Sequence, residues 1–293
     1  GPATARAAFL VAPDGFARAE RSAGDNRYMA AADAFDVGQA MREHRDLHVA
    51  LSRQLPTVCF AGAADTPDAL FPNNVFATAR EDASAHPRGG ARLVVGRMRH
   101  EVRRREAARA DIRGWFRNVL GYAETDLSTQ PHPCELTGAL VVDRARGLGF
   151  CGLSERCDEA GAALMHAAFG LRATLLFELA PGEYHTNVVL AVLAGRAAMV
   201  CADGFADAAV PEAIAALYAP HAVSLSPAER RAFAGNAIAL VPDRVSMSAT
   251  AERALRPATR QALAAAGFAV EAVELAAIEA AGGSLRCCVA EVF

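Results

Sequence analysis

Lysine is absent from this chain: the 30 basic residues are all arginine. That removes Schiff-base chemistry, a pyridoxal phosphate carried on a lysine, and the lysine of a phosphate-binding P-loop. Excess charge of one sign is missing too. A formal net charge of −3 gives no electrostatic footprint for nucleic acid. No apolar run reaches the length of a membrane span, and the N-terminus lacks a signal-peptide pattern, so no membrane partner is expected. Gly1-Pro2 reads as the scar of a cleaved tag and is set aside. The seven cysteines, at 59, 134, 151, 157, 201, 287 and 288, form no CxxC pair. An odd number without a secretory signal points to a reducing cytoplasm rather than a disulfide framework. There is no Asp-x-His-x-Asp set for a binuclear metal and no GxSxG elbow for a serine hydrolase. His44 and His48 lack the glutamate of HExxH and a third ligand, so they read as an exposed helix face rather than a zinc site. No metal and no cofactor are expected.

What is present is an apolar, 293-residue chain with a repeating grammar. Residues 7–12 and 57–61 read as strands, with a helix over 29–54 between them whose apolar positions include Met41, Leu47, Val49 and Leu51. A strand with a polar entrance covers 73–80, another 91–98, and a basic amphipathic helix 99–122. Then a strand–turn–strand–helix–strand unit recurs. Glu135-Leu136-Thr137-Gly138 opens the strand 139–143, His185-Thr186-Asn187 opens 188–193, and Gly235-Asn236 opens 237–241. The C-terminal Gly282-Gly283-Ser284-Leu285-Arg286-Cys287-Cys288 opens a last apolar run. The polar entrances Asn74, Glu135, His185, Asn236 and Cys287 lie 61, 50, 51 and 51 residues apart. A fixed period near fifty is the mark of a propeller or array. A helix in each unit makes the class mixed α/β rather than an all-β propeller.

Five such units closing into a ring would bring Asn, Glu, His, Asn and Cys together at the axis. Wet loops also leave polar residues at strand starts. These five, however, are the residue types of nucleophilic and acid–base catalysis. Gly147-x-Gly149-x-x-Gly152 spans a strand–turn–strand and so lacks the geometry of a dinucleotide site.

With these residues in view, the chain resembles the guanidine-modifying, or pentein, superfamily, and within it the bacterial citrulline-utilisation hydrolases and amidinotransferase-like proteins. Phe71-Pro72-Asn73-Asn74, Glu135 to Gly138, Gly152 to Arg156, Tyr184 to Asn187, Phe233 to Asn236 and the C-terminal Gly-Gly-x-x-Arg-Cys carry the resemblance, in the family's order. It implies a five-bladed pseudo-symmetric α/β propeller as a single catalytic domain over 3–293, and a homodimer.

The resemblance also implies roles. Cys287 would attack the planar guanidinium or ureido carbon as a thiolate. His185 would protonate the departing amine and later activate water. Glu135 would hydrogen-bond substrate N–H groups and orient the histidine. Cys288, by strand alternation, would face away. Asn73, Asn74, Asn236 and Asp65 would line the substrate, Asp65 as a candidate for the α-amino group. Arg156, with Arg104 or Arg105 of the basic run, would pair with the substrate carboxylate, although a solvated helix face also accounts for that run.

Deiminases of the superfamily carry an acid where Asn73 and Asn74 stand, and Cys157 replaces a usual threonine. A neutral amide can both donate to a carbonyl and accept from N–H, so the amides suit a ureido group. The expected reaction is therefore metal-free hydrolysis of citrulline to ornithine, carbon dioxide and ammonia through a covalent Cys287 intermediate. Arginine hydrolysed fully to ornithine comes second, and a deiminase or dimethylarginine hydrolase third. A cysteine amidase of another kind and a non-catalytic amino-acid-binding propeller are the other readings.

Overall fold

In the computed structural model, which describes residues 1–31, 35–80 and 90–293, the fifty-residue period becomes five three-stranded sheets. Strands β1 (Ala7–Val11) and β2 (Thr57–Phe60) pair in parallel. Next come β3 (Phe76–Arg80), β4 (Ala91–Val95) and β5 (Ala123–Asp126), followed by β6 (Leu140–Asp143), β7 (Leu148–Leu153) and β8 (Ala173–Glu178). Two further triplets are β9 (Leu190–Leu193), β10 (Ala197–Val200), β11 (Ala222–Ser224) and β12 (Ile238–Val241), β13 (Arg244–Ser248), β14 (Ala269–Val273). The last strand, β15 (Ala290–Val292), pairs antiparallel with β1. The fifth sheet, β15-β1-β2, thus joins the two ends of the chain.

Every sheet has the same plan: a middle strand antiparallel to the first and parallel to the third. An antiparallel pair needs only a tight turn. A parallel pair needs a long crossover, and here each crossover carries helix. Examples are Val37–Ser52 between β1 and β2, Glu159–Phe169 between β7 and β8, and Pro257–Ala265 between β13 and β14. The first strands of neighbouring sheets pack on one another, β6 on β9, β9 on β12 and β15 on β3, so they face the axis. This is the expected five-bladed α/β propeller.

The strand entrances differ from expectation. Four of the five are single helical turns, at Pro72–Asn74, Leu136–Ala139, Thr186–Val189 and Leu285–Cys288, each leading into a first strand. A turn at this point draws backbone polar groups toward the axis, where they bond in relay. Thr137 Oγ1 donates to Asn73 O (3.0 Å), Asn187 Nδ2 to Thr137 O (3.2 Å) and Asn236 Nδ2 to Asn187 O (2.9 Å), and the Arg286 N–H donates to Asn236 O (3.3 Å). The buried backbone of one blade is satisfied by the side chain or backbone of the next. The relay links the five units in order, and Thr78 Oγ1, donating to Glu291 O at 2.9 Å, closes the ring.

Two helices were over-read. The first starts at Val37, where Asp36 Oδ1 accepts from the Gln39 N–H at 2.8 Å. Part of the expected helix over 29–54, residues 32–34, lies outside the described residues; the helix itself follows the Asp36 N-cap. Its buried face carries Ala40, Glu43, His44, Leu47 and Leu51, while Met41 and Val49 are exposed. His44 is therefore not on an open face; burial pushes its pKa down to about 4, so it is neutral. The basic stretch 99–122 is a chain of short turns (Glu101–Arg104, Glu106–Ala108, Ala110–Gly114, Trp115–Val119) rather than one amphipathic helix.

The last of those turns anchors an aromatic cluster against β1. Phe116 is fully buried, with ring centroids of Phe9, Trp115 and Tyr122 at 5.5, 4.9 and 5.3 Å. Phe116→Ala is expected to destabilise the fold by about 3–5 kcal/mol, the usual range for a large aromatic lost from a packed core. Urea or guanidinium unfolding checks it; a shift within error would remove this cluster from the core.

Candidate active site

One cavity at the axis is lined by Cys287, His185, Asn74, Arg103, Arg156 and Asp68, with Asn26 and Met29 of the segment after β1 also in its wall. Its floor is built from the entrance turns. Gly282, at φ +78°, turns the chain in a conformation few other residues take. Gly283 then packs so closely under Phe71 that a β-carbon there would lie 2.9 Å from its ring. The following turn, Leu285–Cys288, presents Cys287. Cys287 and its neighbour are on a helical turn, not a strand. Cys288 is wholly buried and lies outside the cavity lining, on a helical turn where strand alternation does not apply.

Asn236 brackets the nucleophile: its Nδ2 is 3.3 Å from Cys287 Sγ and its Oδ1 accepts from the Cys287 N–H at 3.3 Å. Asn187 Nδ2 lies 3.8 Å from the sulfur. These contacts place Asn236 behind the sulfur, as a positioning group, rather than among the cavity's lining. Burial raises the Cys287 pKa, only partly offset by the Ser284 backbone and the Asn236 amide. The resting residue is thus a thiol. Inactivation by iodoacetamide is expected to quicken about tenfold per pH unit and to show no plateau up to the ordinary thiol value of 9.0. A plateau near neutrality would show a preformed thiolate instead.

Glu135 is wholly buried and fully engaged. Its Oε1 accepts from the Arg99 N–H (3.0 Å); its Oε2 faces His185 Nε2 (2.7 Å) and Arg156 Nη1 (3.3 Å). Burial would raise its pKa, but Arg156, His185 and Arg103 outweigh that and hold it well below the usual carboxylate range. Burial likewise lowers the His185 pKa, with Glu135 opposing. The consistent state is a carboxylate accepting from a neutral imidazole. The proton then sits on Nε2, and Nδ1 is left with a free lone pair. Nδ1 is buried and has no partner, as expected of a base awaiting a proton.

Gly138 makes room for this arrangement. A β-carbon there would lie 2.4 Å from Asn74 Oδ1 and 2.8 Å from His185 Cε1. Gly138→Ala is expected to lower kcat/KM for any substrate by about a hundredfold through ångström-scale displacement of the base, with the fold retained by circular dichroism. Wild-type kinetics in that variant would show that the close approach is dispensable.

The expected site residues divide cleanly. Cys287, His185, Asn74 and Arg156 line the cavity, with Glu135 directly behind His185. Asn73, adjacent to Asn74, lies outside the lining although it is buried. Arg104 turns back to donate to Met98 O and Arg99 O, both at 3.0 Å, and Arg105 is exposed. Arg103 enters instead, from the buried side of the short turn Glu101–Arg104. Asp65 is exposed; the cavity carboxylate is Asp68, three residues on, with an unpartnered buried Oδ1. Asn26, whose Nδ2 donates to Gly282 O at 3.3 Å, was not singled out from sequence. Its only signal was a polar loop between the first strand and helix. Among the described residues no group of His, Cys, Asp and Glu is placed to hold a metal ion.

Residues 12–293 match the family described as N,N dimethylarginine dimethylhydrolase, eukaryotic. The chain belongs to this family. It is accordingly a member of the guanidine-modifying superfamily and a hydrolase of C–N bonds in amidino groups. No curated protein sequence matches it.

Solved structures with the same fold include the N-terminal domain of ArgZ, an arginine dihydrolase from the ornithine-ammonia cycle in cyanobacteria, bound to substrate. There the TM-score is 0.82 at 19% identity, covering 98% of this chain and 97% of that one. Unliganded AgrE gives 0.80 at 21%, covering 98% and 39%. A dimethylarginine dimethylaminohydrolase adduct with S-methyl-L-thiocitrulline gives 0.69 at 18%, covering 98% and 99%. Among the described residues no helix is long and apolar enough to cross a membrane.

Proposed function

We propose that the chain hydrolyses the guanidino group of arginine through to ornithine. The observation that carries this is Asn74: a buried neutral amide with an unpartnered Oδ1, lining the cavity beside Cys287. A carboxylate there would hold a cationic guanidinium but release a neutral ureido product. An amide accepts from the guanidinium N–H groups and donates to the ureido oxygen, so the first product can stay for a second attack. Citrulline thus moves from preferred substrate to intermediate. The comparisons favour this shift, since the structural relatives act on arginine or on methylated arginine.

Cys287 adds to the guanidinium carbon as its proton passes to a neighbouring base, for which His185 Nδ1 is the candidate. His185 then protonates the departing ammonia and takes a proton from water, which cleaves the amidino-thioester to citrulline. Repetition on the ureido carbon releases ornithine, leaving a carbamoyl-thioester that water converts to carbon dioxide and ammonia. Asp68 and the two arginines bind the far end of the substrate. A second reading, release of dimethylamine from dimethylarginine, is favoured by the family match over 12–293.

Asn74→Asp tests the choice between a one-step and a two-step hydrolase. The expected outcome is that arginine is still consumed but citrulline accumulates and ornithine falls about tenfold or more, read by mass spectrometry. Unchanged ornithine yield would remove Asn74 from this role.

A further inference from the structure

Both cavity arginines are already held by carboxylates of the chain itself. Arg103 donates from Nε and Nη2 to the two Glu106 oxygens at 2.9 Å, and from Nη2 to Phe71 O at 3.1 Å. Arg156 donates from Nε to Asp25 Oδ2 at 3.0 Å and from Nη2 to Asp25 Oδ1 at 2.5 Å. Its Nη2 also reaches Ser22 O at 3.4 Å, and its Nη1 Glu135 at 3.3 Å. A guanidinium has five N–H donors, so Arg156 has almost none to spare.

The two clamps differ in kind. Glu106 is three residues from Arg103 in the same run of turns, and the pair is buried on both sides, 4% and 3% exposed. Asp25 comes from the segment between β1 and the first long helix, 131 residues away in sequence, and its side chain is 21% exposed. His100 Nε2 meets the same Oδ2 at 3.0 Å. Its two-oxygen grip on Arg156 is the geometry a free carboxylate would adopt there. The same segment supplies Asn26 and Met29 to the cavity wall. A substrate carboxylate arriving with Asp25 in place would set two like charges on one arginine.

We propose that Asp25 is a built-in competitor for the substrate carboxylate. It occupies Arg156 in the empty site, a carboxylated guanidine must displace it, and a guanidine without a carboxylate need not. Asp25 is then a specificity-determining residue that biases the site against carboxylated substrates, and this rests on the guanidino-hydrolase reading above. The free energy of exchange reduces apparent affinity by the fraction of molecules in which Arg156 is free. Removing the aspartate charge acts oppositely on the two ligand classes: it opens Arg156 to an anion and takes an anion away from a cation.

The test is calorimetric titration of arginine and of its decarboxylated analogue agmatine into Cys287→Ser protein, with and without Asp25→Asn. The expected result is arginine binding about tenfold tighter in the double variant, with agmatine unchanged or weaker. Affinities that move together in the same direction, an unchanged arginine affinity or weaker arginine binding would overturn the proposal, since a merely structural loop contact affects both ligands alike. If the asparagine variant unfolds, Asp25→Ser is read by the same split. Failure of Cys287→Ser protein to bind either ligand would instead overturn the guanidino reading itself, and the competitor role with it.

Discussion

Cys287→Ser is expected to leave a folded protein with turnover reduced by about 10⁴-fold or more, as when a covalent nucleophile is lost from a set that acts as a unit. The serine oxygen is smaller than sulfur and meets the same Asn236 amide, 3.3 Å from Sγ. The core around the turn, with Leu285 and Val289 wholly buried, is untouched. Melting temperature should therefore change little. The alkoxide of serine is far harder to form than a thiolate, and the unpartnered Nδ1 of His185 is held neutral by burial and so is a weak base. Steady-state ammonia release and thermal unfolding measured on the same preparation decide the matter. Retained turnover would place the nucleophile elsewhere; Cys288 is wholly buried and is not among the residues that line the cavity.

Glu135→Gln is expected to fail in two ways at once. Glutamine keeps the shape but loses the charge, so its amide can donate to His185 Nε2 and move the histidine proton to Nδ1, the atom required as a base. A wrong tautomer of this kind removes about 10⁴ from kcat in a related triad. The change also strips Arg156, with a side chain 3% exposed, of one of its two anionic partners. Loss of one partner from a buried ion pair costs about 3–5 kcal/mol, and the remaining Asp25 contact puts this case at the lower end.

The pH dependence follows the same sign. Glu135 has its pKa depressed in the fold, so its contribution is present above the unfolded carboxylate pKa and is lost as pH falls through its folded value. In the glutamine variant that part of acid destabilisation should disappear. A variant with normal kcat, or with an unchanged stability-against-pH curve, would contradict the role given to this carboxylate.

The pattern of what sequence could and could not reveal has a physical basis. Glu135, His185 and Cys287 were legible because each recurs at one place in a unit of near-constant length, and ring closure maps equal places in sequence to one place in space. Arg103 was not. The choice between 103, 104 and 105 depends on helical phase, and the short turns from Glu101 to Ala108 reset that phase. Asp68 was missed for Asp65 for a similar reason, since the loop folds by backbone turns, Ala69 N–H to Thr66 O and Phe71 N–H to Asp68 O, that carry no periodicity. Asn26 and Asp25 belong to no repeat. They reach the axis only through tertiary closure, and their partners Gly282 and Arg156 lie 256 and 131 residues away. Ala139, Val188 and Val189 belong to entrance turns but were read as strand, because they are buried on every side, which erases the difference between the two periods.

The thiol buried at the propeller axis is assigned hydrolysis of a guanidino group through to the amine. The most direct test is incubation of the purified protein with arginine, without added metal, followed by mass spectrometry of the products and quantitation of ammonia. The predicted result is ornithine with two ammonia per arginine consumed, and citrulline seen only in passing. Citrulline as the end product would contradict the two-step chemistry assigned to Asn74. No consumption of arginine, with none of dimethylarginine or citrulline in parallel tubes, would contradict the hydrolase assignment itself.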